Sequence, residues 1–293
     1  MQLSRAVSGL MVSAPLLLMG TVAVTSRIDS VAWNTPEYGT LAHRDLMEYV
    51  PLVAASQKLH QAAQNGSKLS AGPVLQLWID ANRAKALKPI QPAAAMDEGS
   101  EGARWDITEA KNNLVLDAIL QTERLESNGN ILEAKRLLLA AIDVSNFAKY
   151  MSAPAVSATD QTQKRIVGAC ANFIKSAPPE DRDQILAALD RIEVKPDLLR
   201  RSTIKQSSFG SAPERMASRE LVNRAYESSR SAIKSVYAVA PDRGALKRNP
   251  SQSARAFMLV LNEEVGLGRK IRQLKSEYEP IASQMASSDP GNP

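Results

Sequence analysis

The sequence predicts an all-α protein: stacked antiparallel helix hairpins, forming a right-handed superhelix-like stack or an irregular bundle, behind an N-terminal transmembrane or signal helix. Three observations predict it. Apolar residues make up 44% of the chain but aromatic residues only 4%, so Ala and Leu, both strong helix formers, supply most of the core. Apolar positions recur at spacings of three and four, and the short alternating runs of strands are missing. Ala6–Ser26 carries no charge, and as a helix it would span about 30 Å, the hydrocarbon thickness of a bilayer.

That first segment is either a retained anchor or a cleaved signal peptide. Its length favours the anchor. Pro15 divides it and leaves Leu16–Val24 as a signal-like core, but the exit Val22-Ala23-Val24-Thr25-Ser26 is a poor small-x-small cleavage site. Arg5 before the segment and Arg27 and Arg44 after it nearly balance the positive-inside rule. A signal-type segment at the N-terminus exports the domain behind it. The expectation is therefore a membrane-anchored domain on the extracytoplasmic, periplasmic side, or a secreted one if cleavage occurs. The divisions expected are an anchor or signal over 1–27, a helical segment over 28–87, a linker over 88–104, an all-helical domain over 105–283 and a disordered tail over 284–293.

The first helical block runs from about Thr40 to Leu87. Leu41, Leu46, Tyr49, Leu52, Val53, Ser56 and Leu59 lie near helical spacing, and Pro51 marks a kink or break. Asn65-Gly66-Ser67 is a turn. In Val74–Leu87, Leu75, Trp78, Ile79 and Asn82 share a face. Lys88–Arg104 holds two prolines and two glycines, which makes it the linker. Asp106 then caps a helix to about Ser127, with Glu109 reaching back as in a capping box. Asn128-Gly129-Asn130 turns the chain into a helix over Ile131–Tyr150, with Ala134, Leu137, Leu138, Ala141, Ser145 and Ala148 on one stripe. So short a turn makes the two helices antiparallel neighbours.

The next helix spans Thr159–Lys175. Pro179, Glu180 and Asp181 open another, which runs to Val194, because proline and acidic residues both suit a first turn. Pro196 opens a short helix, and Lys205–Ser211 is a loop. Ser211-Ala212-Pro213-Glu214 is box-like and starts a helix to Ala240 with Val222, Tyr226, Ser229, Ile233, Val236, Tyr237 and Ala240 inward. The last helix, Ser251–Glu279, turns Phe257, Leu261, Leu267, Ile271, Leu274 and Tyr278 inward. Gly266 and Gly268 are candidate bends, and Pro280 ends or kinks it.

Charge is uneven. Residues 194–293 carry 17 basic and 10 acidic side chains, a net +7, against +5 for the whole chain. Arg243, Lys247 and Arg248 cluster before Pro250, and Arg269, Lys270, Arg272 and Lys275 crowd two turns of the last helix. These seven are the candidate partner-binding residues, suited to an anionic polymer, a lipid surface or an acidic protein. Nucleic acid becomes plausible only for a cytoplasm-facing domain, and stacking aromatics are scarce here. No catalytic, cofactor-binding or metal residues are assigned. Two isolated histidines (His43 and His60) and Cys170 do not make a zinc set. Cys170 sits in an apolar stretch and is expected in the core. Glu263-Glu264 and Asp181/Asp183 are expected on solvated helix surface.

The helix pair around Gly129 resembles a tetratricopeptide repeat over about residues 113–146. Glu133-Ala134 falls on that family's Glu-Ala pair, and Leu138 and Ala141 on the large and small packing positions of its second helix. Ala118, Gln121, Leu125 and Asn146 replace the usual Trp, Leu, Tyr and Pro, and no second unit occurs 34 residues on. The overall pattern is also similar to anchored bacterial helical proteins. The resemblance implies stacked helix pairs with a groove for peptides or protein partners, and no catalytic residue. The function expected is a non-catalytic envelope protein that binds or scaffolds protein partners. Two alternatives stand beside it: an exported carboxylate-dependent enzyme acting on a wall glycan, and an inward-facing domain that binds nucleic acid or anionic lipid.

Overall fold

The computed structural model describes residues 48–67, 69–84, 98–151, 153–197, 200, 210–234 and 251–287. The anchor or signal segment, His43, Val236, Tyr237, Ala240, Arg243, Lys247, Arg248 and the end of the tail from 288 lie outside the described residues. Among the described residues there are eight α-helices and no strand. They are α1 (Val50–Gln64), α2 (Gly72–Arg83), α3 (Glu98–Ser127), α4 (Ile131–Ser145), α5 (Ala153–Ser176), α6 (Pro179–Leu189), α7 (Ala212–Lys234) and α8 (Gln252–Ser287), with a 3-10 turn at Lys149–Met151. No helix among them is long and apolar enough to cross a membrane.

The helices pair in chain order and the pairs stack. α1 packs on α3 and α3 on α5, while α2 packs on α4 and α4 on α6, which gives two rows. α8 lies along α5 and pairs with α7. One core runs through α1–α6 and the far half of α8, from Leu52, Leu75 and Trp78 through Leu114 and Leu138 to Phe173, Leu189 and Ile271. A second cluster joins α7 and the near half of α8 to Tyr150 and Val156. Trp78 ties the first pair to the second: its Nε1 donates to Ser56 Oγ at 3.1 Å, and its ring stacks on Phe147 at 6.4 Å. Gln121 does the same for the backbone before α2, donating to Leu69 O and accepting from Ala71 N.

Two glycines end helices as the sequence predicts. After α3, Gly129 (φ +76°) lets Asn130 N reach Leu125 O and Gly129 N reach Glu126 O, the paired bonds of a Schellman turn. Gly66 (φ +79°) closes α1 the same way, through Ser67 N to Ala62 O and Gly66 N to Ala63 O.

Several boundaries differ from expectation, each for a local reason. Pro51 opens α1 and does not kink it, because a first-turn proline has no intrahelical bond to lose. Asp106 is no cap: α3 already runs from Glu98, so 98–104 of the expected linker are helical. Buried Arg104 and Ile107, with Thr108 Oγ1 on Arg104 O, hold these turns against the low propensity of Gly99 and Gly102. α4 stops at Ser145, short of Tyr150, and Ala148 takes a positive φ of +55°. α5 starts at Ala153 with Pro154 in its first turn. α6 stops at Leu189, short of Val194: beyond it Asn146 donates to Arg191 O and accepts from Glu193 N, drawing that stretch out of helix. α8 continues through Pro280 to Ser287. Asn82 is exposed beside its buried neighbours on α2. Gly268 makes room for α7, since a Cβ there would lie 3.2 Å from Ile233 Cγ2.

Candidate functional site

Three constellations of polar groups stand out, and they differ in access to solvent. The first is sealed in the core. Lys111 of α3, Lys149 of the 3-10 turn, Asp160 of α5 and Glu264 of α8 are each 1% exposed or less. Lys111 Nζ donates to Ser145 O (3.2 Å), Phe147 O (3.0 Å) and Thr159 Oγ1 (2.9 Å). It thereby satisfies carbonyls left over where α4 ends. Lys149 Nζ donates to Gln163 Oε1 at 3.0 Å and to Glu193 O, and lies 2.6 Å from Asp160 Oδ1 and 3.4 Å from Glu264 Oε1. Tyr150 Oη donates to Glu264 Oε1 at 2.7 Å and accepts from Lys195 N.

Burial governs the protonation of this cluster. It pulls Lys111 down to about 7, with the charge of Lys149 adding and that of Asp160 opposing. It pushes Asp160 up to about 7, against the pull of Lys149 and with Glu264 adding to the rise. Glu264 is also raised, mainly by burial, and so is Tyr150, by burial and then by the Glu264 carboxylate. Asp160 is held by Lys149 as an ion pair, and among the described residues Glu264 Oε2 has no hydrogen-bond partner. Perturbed ionisable groups often mark functional sites. Here solvent cannot touch the four charges, so the cluster acts as a joint between α3, α5 and α8. Glu264 is thus not on solvated surface. It lies seven residues after Phe257 and three after Leu261, on the inward stripe of α8. Glu263 beside it does face solvent and pairs with Lys164.

The second constellation is the basic stretch of α8. Lys270 Nζ donates to Lys164 O at 3.1 Å, Arg272 Nε to Ile233 O at 3.3 Å, and Lys275 Nζ to Asp190 Oδ2 at 2.7 Å. Arg269 is half-buried. Three of these cations therefore brace α8 against α5, α7 and the end of α6. Arg272 and Lys275 also rim a cavity of about 330 Å³ floored by Leu189, Ile192 and Ile271.

The third is an open groove of about 210 Å³ between α3 and α5, lined by Trp105, Thr108, Glu109, Asn112, Asn113 and Leu116 on one side and Ala158, Gln161, Thr162 and Arg165 on the other. Trp105 is 46% exposed. The hydroxyls of Thr108 and Thr162 are taken by Arg104 O and Ala158 O. By contrast Glu109, Asn113, Gln161 and Arg165 make no hydrogen bond or ion pair among the described residues. Asn112 is almost wholly buried, and its Oδ1 has no hydrogen-bond partner among the described residues. Acid–base cleavage of a glycan needs two facing carboxyls, and Glu109 is the one carboxylate among these lining residues. Sequence reasoning missed the groove. Its signal was an aromatic, Trp105, at a polar position of α3.

Elsewhere on the first row, His60 Nδ1 and Asp117 Oδ2 are 3.0 Å apart, joining α1 to α3, and Gln64 holds the other ring nitrogen. Cys170 is wholly buried, and burial pushes its thiol up, away from the reactive thiolate. Among the described residues no three His, Cys, Asp or Glu side chains gather as a metal would require.

No protein-family model, curated protein or solved structure matches the chain.

Proposed function

We propose that this chain is a non-catalytic helical scaffold of the cell envelope, tethered by residues 6–26, that holds a protein partner on the extracytoplasmic side of the membrane. The observation that carries this reading is the stacking of successive hairpins into two rows. Stacks of this kind bury their apolar faces against each other and leave long helical surfaces for partners. On the second row, Leu77 of α2 and Leu132 of α4 are each more than half exposed. The resemblance of 113–146 to a tetratricopeptide unit supports the same reading. So does the sealed state of the charged cluster, which leaves its ionisable groups to hold helices together.

Two measurements test it in the intact chain. A reporter fused after Pro293 reads the topology, and a cytoplasmic signal overturns the envelope assignment. A photoreactive residue at Leu77 or Leu132, compared with one at Arg230 on α7, reads the surface. A discrete crosslinked complex of fixed stoichiometry from the row positions, absent from Arg230, is expected. Equal labelling from all three overturns the scaffold reading.

A further inference from the structure

We propose that the α3–α5 groove binds a neutral glycan strand, with a sugar ring stacked on Trp105 and its hydroxyls held by Glu109, Asn113, Gln161 and Arg165. This site lies on the first row, apart from the Leu77 and Leu132 surface, and does not depend on the scaffold reading.

The inference starts from side chains without partners. The basic side chains of α8 offer a contrast: Lys270, Arg272 and Lys275 all bond within the chain. In the groove, a carboxylate, two amides and a guanidinium converge with no hydrogen bond or ion pair among the described residues. Each is planar, and together they present donors and acceptors in adjacent pairs. Vicinal hydroxyls, each at once donor and acceptor, match such groups two at a time. A sugar also has an apolar C–H face, and a half-exposed indole is the platform for it: rigid, flat and wettable at its edge. Trp105 supplies that platform at 46% exposure.

Charge selects the class of glycan. Glu109 and Arg165 cancel, so the lining is neutral and a polyanion gains nothing from it. An extended polypeptide is the competing occupant. Polypeptides anchor through apolar side chains in desolvated pockets, whereas the apolar lining besides Trp105 is only Leu116 and Ala158. The groove is open and small, about 210 Å³, which suits contact along one strand more than engulfment of a ligand.

The test uses tryptophan emission. The chain has three tryptophans, and Trp78 is wholly buried. In full-length protein carrying Trp33→Phe, Trp105 is the emitter open to solvent. Titration with cellohexaose, chitohexaose and maltohexaose is expected to give a saturable change with at least one of them. Calorimetry with that sugar is expected to lose binding in Trp105→Leu and to weaken about tenfold in Asn113→Ala or Gln161→Ala. Arg230→Ala on α7 should bind as the parent does, and circular dichroism should show all variants folded. Silence from all three sugars up to about 10 mM, a range that covers weak millimolar sites, overturns the proposal. So does binding that survives Trp105→Leu, or saturable Trp105-dependent binding of reduced, carboxymethylated α-lactalbumin in place of the sugars.

Discussion

Lys149 Nζ lies 2.6 Å from Asp160 Oδ1, and neither side chain has any exposed surface. Glu264 Oε1 stands 3.4 Å from the same nitrogen. A charge so placed cannot be removed alone without leaving its partners stranded.

Lys149→Met should therefore lower unfolding free energy by about 3–5 kcal/mol, the range for breaking one side of a buried pair. The triple variant Lys149→Met, Asp160→Asn, Glu264→Gln should recover most of that loss, since neither carboxylate is left facing a missing cation. Urea unfolding of the two variants checks this, and equal loss in both would show that Lys149 matters for its packing alone.

Stability should also carry a pH signature. Asp160 is raised from 3.8 to about 7 in the folded chain. Its contribution is complete below the unfolded value and is lost as pH rises through about 7. Asp160→Asn removes that dependence, so its stability relative to the parent should improve steadily between pH 4 and pH 8. Lys111 behaves in the opposite sense: lowered from 10.5 to about 7, its contribution is complete at high pH and is lost as pH falls through about 7. Urea midpoints of parent and Asp160→Asn across this window read the first effect directly.

Backbone strain gives a pair of opposite outcomes. Gly129 holds φ +76° with open space where a Cβ would go, while Ala148 holds φ +55° with a Cβ already present. Gly129→Ala should cost about 1 kcal/mol and Ala148→Gly should gain a comparable amount, because left-handed backbone penalises any Cβ. Thermal unfolding of the two variants should move in opposite directions.

The basic side chains of α8 reach across to neighbouring helices, so neutralising them should first loosen that helix. Arg272→Ala and Lys275→Ala should speed hydrogen exchange in the far half of α8 while shifting global stability by less than about 1 kcal/mol, the usual range for exposed pairs. Exchange that stays at the parent rate would show that these contacts do not hold α8 in place.

Helix number and pairing were largely legible in the sequence because they rest on signals local to it. Gly66 and Gly129 ended helices as predicted, Pro179 with Glu180 and Asp181 opened α6, and the stripe from Ala134 to Ser145 was buried. Boundaries set from a distance were not legible. Asn146 ends the stretch after α6 from forty-seven residues upstream, through Glu193 N. The charged cluster was hidden for another reason. Lys111, Asp160 and Glu264 sit on the same inward stripes as Leu114, Val156 and Leu261, but a lone charge on an apolar stripe shows no partner until the chain is folded. The groove stayed hidden because Trp105 and Arg165 belong to helices that meet only in the stack.

The grip of Lys111 on Ser145 O and Phe147 O has a consequence for how α4 acquires its length. A peptide of residues 131–150 alone has no such lysine, and its pattern favours helix as far as Tyr150. In the whole chain α4 stops at Ser145, with Lys111 of α3 on the carbonyls that another turn would use. The stop signal of α4 is thus written one helix earlier than the helix it ends, and the turn that seats Lys149 and Tyr150 depends on a lysine of α3.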